Sequence, residues 1–326
     1  MTSETSRTPP PQGGVFRSDG GSSGNFPSTP TARFAPSPTG PLHLGSLLAA
    51  VGSYLDARAT GARWLVRVED LDTPRVVPGC ADEMLRTLEA FGFEWDSDVL
   101  YQSTRRAAYR EALAELATAG RTFPCSCSRK DLATDDEAGY PGTCRAGPTR
   151  TGPTATRFRV SDGAIHFDDL IQGPQVFDLA TCGDVVVERR DGVASYQLAV
   201  VVDDAYQQVT RVVRGADLLS STPWQIDLQR ALSLPQPSYG HLPLLLEPDG
   251  AKLAKSRRSL PLDPSVAPRA LFSTLTHLSQ TPPPELAHSS IKEVWKWAIR
   301  HWNPRALAGK GNVQCPPEAT GSRIAL

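Results

Sequence analysis

The spacing of apolar residues changes twice near the start of the chain. Residues 31–35 read as a short strand, and a Pro- and Gly-rich turn follows at 36–41. From 43 to 60 apolar side chains recur with helical spacing, and Gly61 is a natural C-terminal stop. This apolar face consists of Leu44, Leu47, Leu48, Val51, Tyr54 and Leu55. A strand is predicted next at 64–68, so the order strand, helix, strand predicts the opening of a doubly wound parallel sheet.

Periodicity further along predicts more helices and a second block of sheet. One helix carries a full start signal, because Thr222 can cap its N-terminus, Pro223 suits the first helical position and Gln225 completes a capping box. The predicted elements are helices at 82–91 and 104–119, strands at 198–204 and 209–214, and helices from about 264 that end with one at 291–302.

We expect one α/β domain, interrupted by an insert and followed by a short helical part. The predicted divisions are a disordered tail at 1–31, two halves of the sheet domain at 32–121 and 191–262, an inserted subdomain at 122–190, C-terminal helices at 263–303 and a flexible tail at 304–326.

Composition is that of an ordinary globular protein and excludes a strongly basic nucleic-acid binder. Of the 326 residues, 40% are hydrophobic and 21% are charged, and the formal net charge is -1. Any RNA would therefore have to be bound by local basic patches. We find no apolar stretch of about 18 residues that predicts a membrane span, and the N-terminus lacks the apolar core of a signal peptide. We expect a cytoplasmic monomer.

Residues 35–46 carry the first chemical motif, in which a strand ends, Pro and Gly turn the backbone, and a helix begins. A helix N-terminus offers N–H groups and partial positive charge to a phosphate chain. His43 is a candidate to hydrogen-bond that phosphate, and Gly45 is a candidate to leave room for a flat adenine. The tripeptide His-x-Gly alone also fits an incidental helix start, but the Pro-Ser-Pro-Thr-Gly before it favours the phosphate site.

The second motif lies far downstream at 252–256. Lys252 and Lys255 stand three positions apart on a loop that begins with Asp249 and Gly250. Two fixed cations suit the negative charge that grows on a pyrophosphate leaving group, so they would lower the barrier instead of only tightening binding. A two-lysine loop alone is usually solvated surface. Its pairing with the first motif favours nucleotide chemistry.

Six cysteines lie at positions 80, 125, 127, 144, 182 and 315. Cys125, Cys127 and Cys144 fall within twenty residues, and such a cluster in a large chain favours metal binding over disulfides. Three thiolates suit tetrahedral zinc (Zn2+), but no fourth Cys or His is close, since His166 is the nearest histidine. Three ordinary thiols in a loop are the alternative.

These motifs together resemble the glutamyl branch of the class I aminoacyl-tRNA synthetases. Residues 36–46 are similar to the HIGH signature of that family and 252–256 to its KMSKS signature. The resemblance runs from about Arg33 to Trp302 and implies a Rossmann-like doubly wound sheet with an inserted zinc-binding subdomain. The further segments that agree with glutamyl enzymes are 33–37, 66–72, 196–204 and 213–219.

The resemblance also implies a glutamate pocket, formed by Arg33, Ala35, Ser37, Glu69, Tyr196 and Arg214. Arg33 and Arg214 suit the two substrate carboxylates, because a guanidinium matches a carboxylate in a two-point fork. Glu69 would receive the α-ammonium group, and the tyrosine would supply a hydroxyl and a wall. The nearby Arg67 and Asp72 are interpreted instead as structural ion-pair residues.

Within that family the chain most resembles the glutamyl-queuosine tRNA(Asp) synthetases, which share the Cys-x-Cys…Tyr-x-x-x-Cys arrangement and use its tyrosine as a zinc ligand. The resemblance therefore implies that Tyr140 joins Cys125, Cys127 and Cys144. A phenol has a pKa near 10 and must lose its proton to bind a metal well.

The resemblance implies a two-step reaction. L-glutamate is first activated by ATP, with Mg2+ bound to the ATP and without tRNA, and is then esterified to queuosine in the tRNA(Asp) anticodon. Only about 70 residues follow Ser256, too few for the anticodon-recognising domains of a full glutamyl-tRNA synthetase. Ala254 replaces the usual Ser of the signature. Arg257 and Arg258 follow it, and contact with RNA phosphates and simple solvation stay equally open.

Three other functions are weighed against this one. The first is a truncated glutamyl-tRNA synthetase that charges a tRNA 3′ end. The second is a related nucleotidyltransferase, although such enzymes usually carry a second His where this chain has Ser46. The third is a catalytically inactive RNA-binding paralogue, against which His43, Lys255 and the complete pocket argue.

Overall fold

A computed structural model describes residues 29–128, 131, 139–246, 260–309 and 313–314 of the protein. The loop with Lys252 and Lys255 lies outside the described residues, as do nearly all of the predicted 1–31 tail and most of the 304–326 tail. The strands are β1 (Thr31–Phe34), β2 (Arg63–Val68), β3 (Leu100–Tyr101), β4 (Thr122–Cys125), β5 (Ala155–Phe158), β6 (Ala164–Asp169), β7 (Gly173–Asp178), β8 (Val185–Glu188), β9 (Arg211–Gly215), β10 (Ser238–Leu242), β11 (Leu245–Leu246) and β12 (Val313–Gln314). The α-helices are α1 (Leu44–Ala59), α2 (Cys80–Ala90), α3 (Arg106–Thr118), α4 (Leu179–Cys182), α5 (Tyr196–Tyr206), α6 (Thr222–Ala231), α7 (Ala267–His277) and α8 (Ile291–His301).

The largest sheet has five parallel strands in the order β10-β9-β1-β2-β3. β1 is central, because Ala32 pairs with Trp64 of β2 on one side and with Arg211 of β9 on the other. Parallel neighbours need a crossover, which α1 supplies between β1 and β2. The strand order reverses between β1 and β9, and ligands of open α/β sheets bind outside the carboxyl ends of the strands at such a point. The predicted parallel α/β fold is confirmed.

Helix α1 is held closely against this sheet. Almost all of its residues from Leu47 to Ala57 are buried. A Cβ added to Gly52 would lie 2.5 Å from Leu242 Cδ1 of β10, so the close approach depends on that glycine. The buried Asp56 also accepts a hydrogen bond from Arg211 Nε of β9 at 2.8 Å. These contacts fix the helix N-terminus relative to the carboxyl ends of the strands.

The strand prediction at 198–204 is wrong, because these residues lie in helix α5. Every residue from Leu198 to Ala205 is buried. A helix buried on all sides has a continuous apolar run without a 3.6-residue period, so spacing cannot separate it from a buried strand. Three consecutive valines favour a strand by propensity, and tertiary burial overrides that preference. The strand predicted at 209–214 is confirmed as β9.

The segment between β4 and β8 forms two antiparallel sheets of its own. One has the order β4-β5-β8, and the other is the β6–β7 hairpin. Side chains of β6 alternate between exposed and buried, as expected for a strand with one solvated face. The turn of the hairpin reaches the main sheet, where the Leu170 N–H donates to the Tyr239 carbonyl of β10 at 2.8 Å.

The predicted capping box at the start of α6 is wrong. The helix begins at Thr222 itself, and Ser221 occupies the N-cap position without a side-chain cap hydrogen bond. Thr222 Oγ1 instead accepts a hydrogen bond from Arg214 Nη2 at 2.9 Å, and Gln225 Nε2 donates to Gln197 Oε1 at 2.9 Å. Both side chains are drawn into buried contacts that a local sequence pattern does not reveal.

Helices α7 and α8 pack on α1 and confirm the predicted C-terminal helical part. The Trp295 ring lies edge-on to Tyr54 and Phe93, with centroid distances of 4.8 and 4.9 Å. Ser290 and Glu293 form a reciprocal capping box at the start of α8. In the described part of the chain, no helix is both long and apolar enough to cross a bilayer.

Candidate functional site

One cavity lies at the carboxyl ends of β1, β2 and β9, beside the point where the strand order reverses. Its volume is about 330 Å³, a size that suits a small ligand. The residues that line it are Arg33, Phe34, Ala35, Ser37, Ala49, Glu69, Tyr196, Val213, Arg214 and Leu218. All six residues predicted for the glutamate pocket are therefore brought together in this cavity, although they come from four separate parts of the sequence.

Arg33 is buried and held by Asp204 of α5. Arg33 Nε donates to Asp204 Oδ1 at 3.1 Å, and Nη2 donates to Oδ2 at 3.4 Å. This two-point contact uses one edge of the guanidinium and leaves the Nη1 edge for another acceptor. Burial opposes ionisation of Asp204, but Arg33 and Arg67 together hold the pKa of this carboxyl below its usual value.

Glu69 follows the end of β2 and is buried beside Arg67, whose Nη2 lies 3.5 Å from Glu69 Oε1. Burial raises the pKa of Glu69 to about 6, against the opposing effect of Arg67 and Arg33. Within the described structure Oε1 makes no hydrogen bond. Glu69 also lines the cavity, so the cavity presents a carboxylate that is suited to a cationic group.

The ion-pair interpretation of Arg67 and Asp72 is confirmed. Arg67 Nη1 lies 2.8 Å from Asp204 Oδ1, and Asp72 accepts from Arg189 Nη1 at 2.7 Å. Asp72 also pairs with Arg75. Neither Arg67 nor Asp72 lines the cavity.

Asp203 was not predicted as part of this region. Its buried carboxylate accepts hydrogen bonds from Tyr109 Oη at 2.6 Å, Gln102 Nε2 at 3.0 Å and Arg105 Nε at 3.1 Å. It thereby ties α3 to α5 behind the cavity. The one signal in the sequence was a pair of acids at the end of an apolar run, since a buried carboxylate needs such partners.

Arg214 is almost fully engaged by the protein. Its Nη1 donates to Tyr196 Oη at 3.2 Å, and its Nη2 donates to Thr222 Oγ1 at 2.9 Å and to the Leu218 carbonyl at 3.3 Å. Its Nε donates to His241 Nε2 at 3.1 Å. One of its five N–H groups, on Nη1, is left for a ligand.

This arrangement differs from the two-point fork predicted for Arg214. Tyr196 Oη already accepts a hydrogen bond from Arg214, so its own O–H can donate into the cavity. A carboxylate there would receive one N–H from Arg214 and the O–H of Tyr196. Two different side chains thus form the fork.

His43 is the N-cap residue of α1. Its Nδ1 accepts hydrogen bonds from the N–H groups of Gly45 at 3.1 Å and Ser46 at 3.4 Å. A Cβ on Gly45 would lie 3.0 Å from His43 Cε1, so this glycine makes room for the histidine ring. The sequence predicted a phosphate contact for His43 and space for adenine at Gly45, and capping is a structural role that it did not predict.

Three cysteines and a tyrosine cluster between β4 and the 140–144 loop. The sulfur atoms of Cys125, Cys127 and Cys144 lie within 4.8 Å of one another. Tyr140 Oη is 3.5 Å from Cys125 Sγ and 3.8 Å from Cys127 Sγ, and Cys127 Sγ is 3.6 Å from Cys144 Sγ. In a tetrahedral zinc site, sulfur ligands lie about 3.8 Å apart and a sulfur and an oxygen about 3.5 Å apart. The four donors therefore fit one metal ion.

The surroundings of the cluster favour a thiolate at Cys144, whereas burial and the contact with Cys144 raise the pKa of Cys127. Burial opposes ionisation of Cys144, but hydrogen bonds from the Ser126 backbone and the Tyr140 hydroxyl help to lower the pKa of this thiol to about 5. Arg157 Nε donates to Cys125 Sγ at 3.3 Å. Burial raises the pKa of Tyr140, so its phenol keeps its proton unless a cation takes its place.

Comparisons with known proteins agree with this fold. The family model described as tRNA synthetases class I (E and Q), catalytic domain, matches residues 31–267. The crystal structure of glutamate-tRNA synthetase from Elizabethkingia anophelis is 25% identical, with a TM-score of 0.73, and the match covers 90% of this chain and 69% of that one. Fold and cavity together are those of a class I aminoacyl-tRNA synthetase, a class that uses ATP.

Curated relatives identify the family within this class. The glutamyl-Q tRNA(Asp) synthetase of Aromatoleum aromaticum is 54% identical over 286 residues, covering 84% of this chain and 90% of the relative. That of Geobacter sulfurreducens is 51% identical over 300 residues, covering 86% and 96%. The chain belongs to the glutamyl-Q tRNA(Asp) synthetase family and is an aminoacyl-tRNA synthetase-like ligase with a glutamyl-type function.

Proposed function

We propose that this enzyme activates L-glutamate with ATP in the absence of RNA and then transfers the glutamyl group to queuosine in the anticodon of tRNA(Asp). The observation that carries the first step is the charge pattern of the cavity. Two arginines with N–H groups left for a ligand and one carboxylate, that of Glu69, line the same space. Glutamate has two carboxylates and one ammonium group, so its charges complement this pattern.

In this proposal each arginine meets one carboxylate of glutamate. Arg33 offers its Nη1 edge, while Arg214 acts together with the Tyr196 hydroxyl. Glu69 receives the α-ammonium group, because its carboxylate lines the cavity. Ala35 and Ser37, which follow β1, form the adjoining wall.

Activation is a displacement at phosphorus. An α-carboxylate oxygen of glutamate attacks the α-phosphorus of ATP, the bond from that phosphorus to the bridging oxygen breaks, and pyrophosphate leaves with the electron pair. The N-terminus of α1 around His43 and Gly45 would bind the phosphates, and Mg2+ would accompany ATP. Lys252 and Lys255 would stabilise the charge that develops on pyrophosphate. Positioning and fixed charge supply the catalysis, so no covalent enzyme intermediate is needed.

Transfer of the glutamyl group also needs no covalent enzyme intermediate. A hydroxyl of the queuosine cyclopentenediol attacks the carbonyl carbon of glutamyl-adenylate, AMP leaves, and the hydroxyl proton passes to solvent. The names of the relatives support this acceptor.

Product mapping tests the acceptor. Radiolabelled glutamate is offered to tRNA(Asp) with queuosine, tRNA(Asp) without it, and tRNA(Glu), and the labelled RNA is digested. We expect label on the anticodon fragment of queuosine-containing tRNA(Asp) only. Label at the 3′ end of tRNA(Glu) would overturn the proposal and establish a truncated glutamyl-tRNA synthetase.

We also propose that one structural Zn2+ is held by Cys125, Cys127, Tyr140 and Cys144, since these donors have tetrahedral spacing. The ion would tie β4 to the loop that carries Tyr140. We further propose that 122–190 is an inserted subdomain between catalytic halves at 32–121 and 191–262, because β4 begins at Thr122 and β8 ends at Glu188.

A further inference from the structure

We infer that Asp169 and His241 are positioning residues for Arg214: the pair presents an imidazole lone pair to the Arg214 guanidinium and fixes its orientation in the cavity. Neither residue lines the cavity, and they lie 72 positions apart in the sequence. The inference rests on the proposed glutamate site, since it concerns an arginine of that site.

Both oxygens of the Asp169 carboxylate have hydrogen-bond partners. Its Oδ1 accepts from three backbone N–H groups, those of Gln172 at 2.8 Å, Ile171 at 2.9 Å and His241 at 3.1 Å. Its Oδ2 lies 2.5 Å from His241 Nδ1. Hydrogen bonds of this kind favour the charged form of a carboxyl, so Asp169 is an anion that requires a proton on His241 Nδ1.

The other ring nitrogen is constrained by Arg214. Arg214 Nε lies 3.1 Å from His241 Nε2, and a guanidinium can only donate. His241 Nε2 must therefore accept, which leaves the imidazole neutral with its single proton on Nδ1. Thr222 Oγ1 lies 3.2 Å from the same nitrogen and 3.3 Å from the Leu218 carbonyl, and its one proton can be donated to either of these acceptors.

A neutral partner preserves the charge of Arg214. Among the described residues, no carboxylate lies within ion-pair distance of Arg214, in contrast to Arg33, which is paired with Asp204. A carboxylate placed directly on Arg214 would offset its positive charge, whereas at Arg33 the single carboxylate of Asp204 is shared with Arg67. With His241 between them, Asp169 orients the guanidinium while its positive charge stays available to a substrate carboxylate.

The charged and titratable groups around His241 keep it neutral. Asp169 faces it from the β6–β7 turn, Arg214 from β9, and the Tyr239 ring stacks on it from within β10 at 6.3 Å. Arg33 adds a further positive charge from β1. Burial and the charge of Arg214 outweigh Asp169, so the pKa of His241 lies below its usual value.

The inserted hairpin is thereby coupled to the glutamate site. Asp169 ends β6, and Gln172 of the same turn donates from Nε2 to the His241 carbonyl at 2.7 Å. The turn and β10 thus hold each other, and the cavity arginine is set by a segment outside the parallel sheet.

Kinetics of glutamate-dependent ATP–pyrophosphate exchange test the inference. Asp169→Asn keeps an oxygen for the three backbone donors, but its amide must donate to His241 Nδ1. The ring proton then moves to Nε2, which faces the N–H group of Arg214 Nε and can no longer accept its hydrogen bond. His241→Leu removes the acceptor, and His241→Gln can return one through its side-chain oxygen. The matched controls are Asp168→Asn and His166→Gln, exposed neighbours on the same hairpin.

We expect KM for glutamate to rise about ten-fold or more in Asp169→Asn and His241→Leu, the loss of a hydrogen bond to a charged group. KM for ATP should stay within about two-fold, His241→Gln should recover most of the affinity, and the controls should match wild type. A purely structural role would lower the active fraction and leave KM unchanged, and that result would overturn the inference. If wild-type enzyme shows no exchange at all, the proposed function fails instead.

Nitrogen NMR measures the protonation state of the His241 ring directly and does not depend on enzyme activity. In uniformly 15N-labelled protein, the His241 signals, identified by their loss in His241→Gln, should show a protonated Nδ1 and an unprotonated Nε2 from pH 5.5 to 8. In Asp169→Asn the proton should move to Nε2. A doubly protonated ring, or an Nε2-protonated ring in wild type, would contradict the inference whatever the enzyme catalyses.

Discussion

Arg33 and Asp204 lie 171 positions apart and meet through two hydrogen bonds from one guanidinium to one carboxylate. Asp204 also pairs with Arg67 at 2.8 Å, so a single buried acid compensates two arginines. The contact joins central strand β1 to helix α5. It turns one edge of Arg33 toward the protein and leaves the other edge to the cavity.

Replacing Asp204 should therefore damage both binding and stability. In Asp204→Asn, Arg33 loses the partner that orients it and Arg67 keeps a buried charge with less compensation. We expect the free energy of unfolding to fall by about 3–5 kcal/mol, the usual cost of breaking a buried ion pair. KM for glutamate should rise at least about ten-fold in exchange assays.

Denaturant unfolding and steady-state exchange measure the two effects of this substitution. The exposed Asp98→Asn is the matched control and should resemble wild type in both. An Asp204→Asn enzyme with unchanged KM and unchanged stability would show that the ion pair has no such role.

Glutamate binding should weaken in mild acid because of Glu69. Its pKa is raised to about 6, mainly by burial, and only its ionised form pairs with an ammonium group. As pH falls through about 6 the carboxylate is protonated, so KM for glutamate should rise, by about ten-fold for each pH unit below that value.

The pH dependence is measured from pH 5 to 8 at saturating ATP. Glu69→Gln should have a high KM throughout and lose this acid limb. An acid limb that persists in Glu69→Gln would have to come from another group.

Two substitutions distinguish the capping role of His43 from its proposed contact with the phosphates. His43→Ala loses the acceptor for two N–H groups of α1 and should lower the free energy of unfolding by about 1 kcal/mol. His43→Asn should keep most of that stability, because Asn is a good N-cap residue. Both should lower the rate of exchange by about 100-fold or more if the ring also contacts the phosphates.

Exchange rates alongside thermal unfolding decide between the two roles. Full activity in His43→Asn would mean that capping is the whole contribution of this residue.

Zinc content should follow the four proposed ligands. Wild-type protein should hold one zinc per chain, Cys144→Ser should hold none at low free zinc, and Tyr140→Phe should bind zinc at least about ten-fold more weakly. Chelation should lower Tm of wild type and leave that of Cys144→Ser nearly unchanged. Cys182, outside the cluster, provides the control Cys182→Ser. Zinc retained by Tyr140→Phe with unchanged affinity would exclude the tyrosine as a ligand.

Local patterns were enough to predict the first βαβ unit, because α1 lies between clear turn residues, at 36–41 before it and at Gly61 after it. They failed at α5, where burial on every side erases the helical period, and at Thr222, whose hydroxyl is used by Arg214 from another strand. A short sequence window contains no information about such distant partners.

The six cavity residues came from family resemblance, and the structure brings them together in one cavity. The residues that hold these side chains in place were not predicted from the same resemblance. Asp204, Asp203 and the pair Asp169–His241 act across long stretches of chain, and a carboxylate near an arginine is recognisable only when both are placed in space. The three cysteines of the proposed zinc site lie within twenty residues, so their spacing could be read from the sequence, whereas Tyr140 came from the resemblance.

The most direct test of the central claim is exchange of radiolabelled pyrophosphate into ATP with purified enzyme, L-glutamate and Mg2+ in RNA-free solution. We predict exchange that requires glutamate, is not supported by glutamine or aspartate, and falls sharply in Lys255→Ala. No exchange until RNA is added, or exchange that is indifferent to the amino acid, would contradict the account.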